Sequence, residues 1–218
     1  MINKPLLIIG GGGHASVLVE VLLEQEREIV GIVAHDIRES RKVFDGIPHF
    51  SSDDEVLKFK TTDVLLVNGI GAVPNSSLRQ DIDSKFRLMG YRFESVIDST
   101  ARVSRYSSLG DGVQVMANAS IQTGSNISKG AIINTAAIVE HDAYIGENTH
   151  IAPGAVLAGS VFVGDNSLIG ANSVILEGTI IGSQVIVGAG VTVREDVGSQ
   201  VRYFGKYKML SSTNNEDL

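Results

Sequence analysis

The sequence predicts a chain in two parts, a small parallel α/β domain followed by a parallel β-helix. Two observations carry that reading. An aliphatic residue stands at every sixth position, without a miss, in the series Ile97, Val103, Leu109, Val115, Ile121, Ile127, Ile133, Val139, Ile145, Ile151, Leu157, Val163, Ile169, Ile175, Ile181, Val187, Val193. Ahead of that series, the short apolar stretch Leu6 to Ile9 runs into four consecutive glycines, Gly10 to Gly13, and then into a helical pattern. A period of six is neither the 3.6 of a helix nor the 2 of a strand, so it belongs to a larger repeated unit.

Taken in order, Leu6 to Ile9 reads as a buried strand ending in the glycine loop. From His14 to Gln25, apolar residues at Ala15, Leu18, Val19, Leu22 and Leu23 form the stripe of an amphipathic helix. Ile29–Val33 and Val64–Val67 are the next strands. A short helix is expected over Asp53–Lys60, with Ser51, Ser52 or Asp53 as cap, and a longer one over Ser76–Met89, stopped by Gly90. Strand, glycine loop, helix, strand is a βαβ unit, so residues 1–94 form a small Rossmann-like α/β domain. Residues 95–197 carry the hexads, each one short strand and one tight turn. Three hexads close a triangular coil, and coils stack at roughly the 4.8 Å inter-strand spacing. Small or β-branched residues such as Ala119, Ala131, Ala137 and Ala155 precede the aliphatics by two. Residues 198–218 are a C-terminal extension lying back on the coils, with a polar tail from Ser211 that is expected to be disordered.

Composition narrows the function. The 218 residues carry a formal net charge of −7, which argues against a nucleic-acid partner. Without cysteine, disulfides, thiolate metal sites and a cysteine nucleophile are excluded. The apolar run at the N-terminus is too short for a signal peptide or a membrane span, so a cytoplasmic protein without membrane insertion is expected.

The glycine loop sets bare backbone amides at a helix N-terminus, where a pyrophosphate is well held. It departs from the dinucleotide pattern Gly-x-Gly-x-x-Gly, because Ala15 stands at the last position, and the acidic residue after the second strand would be Asp36, preceded by His35. A nucleotide or nucleotide-sugar ligand is one reading and a tight turn used only for packing is the other. In the coils, His141 lies in Glu140-His141-Asp142, directly after the core residue Val139, at an outward corner. Neighbouring carboxylates raise an imidazole's basicity and fix its tautomer, as a general base requires. Gly159 follows by eighteen residues, one coil on, leaving space over the ring and an amide for a developing oxyanion. The plain alternative is a solvated corner histidine. His150 is either a substrate contact or a polar turn residue, and Asn134 is equally open, since asparagines often cap turns.

Gly10-Gly11-Gly12-Gly13-His14-Ala15, Asn68-Gly69-Ile70-Gly71 and a hexad β-helix containing Glu140-His141-Asp142 together resemble the bacterial sugar O- and N-acyltransferases. That PglD/NeuD-like group includes the UDP-amino-sugar acetyltransferase of bacillosamine synthesis and the sialic acid O-acetyltransferases. The resemblance spans residues 5 to about 209. It implies a left-handed β-helix and a homotrimer with active sites between subunits. It implies His141 as catalytic base and Asp142 as the carboxylate that raises its basicity. His150 and Gly159 would contact the acetyl group, Ala171 and Ala189 coenzyme A, Asn134 and Glu140 the pocket, and Gly12, Gly13, His14 and Gly71 the nucleotide sugar. Three departures stand out: Ala34-His35-Asp36 replaces a usual pair of aspartates, Ser16 replaces a common basic residue, and Gly205-Lys206-Tyr207-Lys208 replaces a Gly-x-Pro-Ala-Lys pattern.

The expectation is therefore metal-free acetyl transfer from acetyl-CoA to the 4-amino group of a nucleotide-linked, UDP in first place, 4-amino-4,6-dideoxy sugar. Transfer would be direct, because no cysteine is available to carry the acyl group. A sister reading moves the acetyl group to a hydroxyl, as in sialic acid O-acetylation, and a non-enzymatic one makes the chain a nucleotide-sugar-binding scaffold. A β-helical carbonic anhydrase needs three zinc-bound histidines, and the coils hold only His141 and His150.

Overall fold

The computed structural model describes residues 4–38, 40–73 and 76–205. Lys206, Tyr207, Lys208 and the polar tail lie outside the described residues. The N-terminal part is a four-stranded parallel sheet of β1 (Leu6–Ile9), β2 (Ile29–Val33), β3 (His49–Phe50) and β4 (Leu65–Asn68), in the order β3-β2-β1-β4. Helix α1 (Gly13–Glu24) buries Ala15, Leu18, Val19 and Leu22 with Leu6, Ile8 and Ile32 on one face of the sheet. Helix α2 (Leu78–Leu88) buries Ile82 and Phe86 with Leu7, Ile9 and Leu66 on the other. A parallel sheet covered on both faces explains why Leu6 to Ile9 is apolar without alternation.

Two local expectations change. Asp53–Lys58 is a 3₁₀ turn, capped by Ser52 Oγ accepting from Asp54 N at 3.3 Å. The two-residue strand β3 was invisible in the sequence, because His49 and Phe50 are flanked by a proline and a serine pair with no alternation to read.

From Val96 onward the chain winds into a left-handed parallel β-helix. Its three faces are a seven-stranded sheet from Val96–Ile97 to Arg202–Tyr203, a six-stranded sheet from Arg102–Val103 to Thr192–Val193, and a five-stranded sheet from Ser108–Leu109 to Ile180–Ile181. Up to Thr192–Val193, paired coil strands are eighteen residues apart, as in Ile132 with His150 and Ile138 with Val156. The hexad aliphatics from Val115 to Val193 are 0–1% exposed and fill the prism with the small residues two places before them. Each such side chain is worth about 1.5–3 kcal/mol of transfer free energy, set against the entropy of ordering the coil. Arg202–Tyr203 pairs in parallel with Ile186–Val187, so the extension adds a strand to the top of one face.

A second period of six marks the corners. Asn118, Gly124, Gly130, Ala136, Asp142 and Asn148 all have φ between +54° and +76°, the left-handed turn that redirects the chain onto the next face. The two parts share a core: Val96 and Met116 from the coils pack among the residues of α1 and β1.

Candidate active site

At the carboxyl ends of the parallel strands, where open α/β sheets bind ligands, a cleft of about 420 Å³ is lined by Gly10, Gly11, Gly12, Ala34, His35, Asp36, Arg38 and Arg41 among others. No atom lies within 4 Å of where a Cβ on Gly12 would stand, so the turn opens to the cleft. The second glycine motif packs behind it: a Cβ on Gly69 would meet Ala15 Cβ at 2.8 Å, and one on Gly10 would meet Ile70 Cδ1 at 2.8 Å. Arg41 reaches across from the loop after β2. Its Nη1 donates to Ser16 Oγ at 2.7 Å, both Nη atoms lie 3.8 Å from the position of a Gly13 Cβ, and its buried Nε has no partner among the described residues.

His14 turns from this loop toward the coils. Its Nε2 is 2.7 Å from Gln114 Oε1, and Gln114 Nε2 donates to Asn68 O at 2.8 Å, which fixes the amide orientation and makes His14 Nε2 the donor. Arg79, 2% exposed, ties the junction: it donates to Asn68 O, Ile70 O, Gln114 Oε1 and Gly130 O. Burial lowers the His14 pKa from 6.5 to about 4, with the Arg79 charge acting in the same direction and the Gln114 bond opposing. Burial also lowers Arg79 to about 10, opposed by the charge of Asp83.

His150 sits on the same seven-stranded face as Gln114. Asn134 Oδ1 accepts from Thr135 N at 2.8 Å, so its Nδ2 faces His150 Nε2 at 3.0 Å and donates. The imidazole proton is thereby assigned to Nδ1, which is buried and has no partner among the described residues. Burial, then the charges of His14 and Arg79, lowers the His150 pKa to about 3, so this ring is a neutral donor.

His141 occupies a different place, the corner between the six- and five-stranded faces. Its Nδ1 is 2.9 Å from Asp142 Oδ2, with the two side chains 50% and 65% exposed. The hydrogen bond to Asp142 raises the His141 pKa above 6.5, opposed by desolvation and helped by the charges of Asp142, Glu140 and Glu177. With Nδ1 engaged, Nε2 is the basic nitrogen. Gly159 lies over the ring: a Cβ there would stand 2.6 Å from Cε1 and 2.7 Å from Nε2. Ala171 and Ala189 stack at the corner between the seven- and six-stranded faces, where Gly190 N donates to Ala171 O at 2.8 Å. One chain therefore gathers the glycine loop, His14, Asn134 and His150 on one side. It sets His141, Asp142, Glu140 and Gly159 at the opposite corner of the prism. No group of three or more metal-binding side chains occurs among the described residues, and no helix there is long and apolar enough to cross a membrane.

Residues 5–86 match the family model of the PglD N-terminal domain, and residues 160–195 match that of the bacterial transferase hexapeptide (six repeats). PerB from Caulobacter crescentus, solved with CoA and GDP-perosamine, is 35% identical over 91% of this chain and 92% of that one, with a TM-score of 0.80. The chain belongs to the bacterial sugar acyltransferases of the hexapeptide-repeat class. The acetyltransferase domain of PglB from Neisseria gonorrhoeae, solved with acetyl coenzyme A, is 31% identical to this acyltransferase over 91% and 94% of the two chains, TM-score 0.80. WeeI from Acinetobacter baumannii, at 20% identity, 92% and 97% coverage and TM-score 0.78, shares the fold. No curated protein matches the acyltransferase.

Sequence reasoning missed Arg41, Arg79 and Gln114. Arg38 and Arg41, three apart in an acidic chain and directly after the second strand, were a usable signal. Arg79 carried none, since an arginine early in an amphipathic helix reads as solvated.

Proposed function

We propose that the chain transfers the acetyl group of acetyl-CoA to the 4-amino group of a nucleotide-linked 4-amino-4,6-dideoxy sugar, with His141 as general base. The observation that carries this reading is the His141–Asp142 pair, with Nε2 free beneath a residue that has no side chain. Asp142 holds the proton on Nδ1 and supports the imidazolium, while Nε2 takes the proton of the attacking amine. General-base help of this kind is worth roughly 10²–10⁴ in rate, and juxtaposing two bound substrates supplies more. The Gly159 amide faces the oxygen on which negative charge develops.

Acetyl-CoA supplies the activated thioester, and the residues present suit it. The orphaned Nδ1–H of His150 is a buried donor that an acyl oxygen would satisfy, and such a group is costly to leave unpaired. Ala171 and Ala189 line the path of the coenzyme. The nucleotide sits in the cleft at the glycine loop. Gly12, Gly13 and the α1 N-terminus face its diphosphate, His35 and Asp36 its base and ribose, and His14 and Gly71 the start of the sugar, with Asn134 and Glu140 along the pocket. Arg41, seconded by Arg38, supplies the positive charge that Ser16 does not, in the forked geometry that suits phosphate.

His141 and His150 stand on opposite sides of one prism, so a site that uses both takes them from two copies. A homotrimer with its active sites between subunits meets that need, and acceptance of an external nucleotide sugar suits a cytoplasmic enzyme. UDP is the nucleotide first expected. PerB was solved with GDP-perosamine, which makes the GDP sugar its rival.

The test is CoA release from acetyl-CoA with UDP- and GDP-linked 4-amino sugars and with sialic acid. Turnover on one nucleotide amino sugar, cut by roughly 10²–10⁴ in a His141→Ala protein that keeps its oligomeric state, is the expected result. Turnover only on sialic acid would replace the acceptor, and turnover on none would leave a scaffold.

A further inference from the structure

One coil below the His141–Asp142 corner lies a glycine that the backbone alone does not demand. Gly124 precedes Asp142 by eighteen residues and has φ +76°. Residues in the equivalent place at other corners, among them Asn118, Ala136, Ser160 and Gln184, hold φ between 54° and 58° with a side chain present. Left-handed backbone therefore accommodates other residues in this fold.

What glycine leaves at position 124 is room. A Cβ there would overlap Asp142 Oδ1 and stand 3.2 Å from Asp142 Cγ. The carboxylate lies down over the bare corner, and in that pose its other oxygen, Oδ2, is 2.9 Å from His141 Nδ1. Among the described residues, the Asp142 carboxylate has no hydrogen-bond partner besides His141, so no other polar group fixes its rotamer. We infer that Gly124 is a positioning residue for the reaction: its missing side chain is the seat from which Asp142 orients His141. The inference rests on the reading of His141 as the base, and the test separates the two.

Gly124→Ala folds, because Ala136 already occupies the same turn with φ 54°. The flexible carboxylate is what yields to the new methyl group. Two quantities are read: the imidazole pKa of His141 by NMR titration, and the pH dependence of kcat. The expected result is a His141 pKa that falls from its raised position toward 6.5, approaching the fall that Asp142→Asn gives. The acid limb of kcat moves to lower pH with it, and kcat drops about tenfold or more, a part of the roughly 10²–10⁴ that a placed base contributes. KM for both substrates holds.

Gly130→Ala is the matched control. Gly130 has φ +68°, and its Cβ would overlap Asn148 Oδ1 and stand 3.2 Å from Asn148 Cγ. This variant carries the same strain and the same kind of collision at another corner, and leaves the His141 titration where it was. An unchanged imidazole pKa in Gly124→Ala, or an equal shift in Gly130→Ala, overturns the positioning role. A lowered imidazole pKa with an unmoved kcat profile upholds Gly124's hold on the imidazole and overturns His141 as the base.

Discussion

Acidifying the protein from pH 7 to pH 5 should unfold it more readily through two residues at the junction, His14 and His150. Both folded-state pKa values lie below the ordinary 6.5, at about 4 and about 3, chiefly because burial disfavours the charged ring. A group whose folded pKa is depressed contributes stability that is complete above the unfolded pKa. That stability is lost as pH falls from 6.5 toward the folded value, because only the unfolded chain takes up the proton. At pH 5 an unfolded histidine has bound nearly a full proton while these two remain neutral, which costs about 2 kcal/mol each, or about 4 kcal/mol together. That is a large share of a typical domain's 5–15 kcal/mol. His141 works the other way: its raised pKa adds stability at low pH that fades as pH rises through it, and its exposure keeps that effect small. The assay is urea unfolding at pH 7 and pH 5, at one protein concentration, for the native chain, His14→Gln and His150→Gln. Carboxylate effects are common to all three and subtract. Each variant should lose about 2 kcal/mol less than the native chain between the two pH values. Equal losses in all three would mean that the native imidazoles protonate normally and that the junction is wetter than its geometry says.

The remaining predictions concern catalysis. Arg41→Ala should raise KM for the nucleotide sugar about 10- to 100-fold, the value of a charge-assisted hydrogen bond of about 1.5–3 kcal/mol, and leave KM for acetyl-CoA alone. Steady-state kinetics with each substrate varied in turn decides it, and a change confined to acetyl-CoA would put the arginine elsewhere. Gly159→Ala places a methyl 2.6 Å from His141 Cε1, so the ring must shift. A misplacement of about 1 Å costs on the order of 10²-fold, and an unchanged kcat would show that Gly159 leaves nothing the reaction needs.

The coil is legible in the sequence because one residue class recurs at one period over nearly a hundred positions, and an interior face tolerates little else. The corners carry a signal of their own. Asn118, Gly124, Gly130, Asp142, Asn148 and Gly154 share the same six-residue step, and glycine, asparagine and aspartate are the residues that tolerate positive φ. That pattern by itself puts Asp142 on a left-handed turn. Coil arithmetic also separates two candidates: His150 follows His141 by nine positions, half a coil, so one faces away from the other. The junction is not legible in this way. Arg79 owes its burial to four acceptors, two carbonyls at the end of β4 and just beyond it, a side chain and a coil carbonyl, drawn from segments far apart in sequence, and Gln114 owes its to the same meeting. Only tertiary packing turns these polar residues inward. His150 belongs to the same class, because its unpartnered Nδ1 depends on which way Asn134 turns its amide.

The eighteen-residue register has a consequence for how such a chain can change over time. Position around the prism is fixed by residue number modulo eighteen, so length is quantised. A loop pushed out at a corner leaves the count of strand and core positions intact, and a whole duplicated coil lifts everything above it by one layer without rotation. A single residue inserted within a strand between His141 and Gly159 does neither. It turns every later aliphatic off the axis and takes Gly159 away from the imidazole it overlies. Substitutions in this fold can be gradual, whereas insertions are confined to steps of one coil or to the rim.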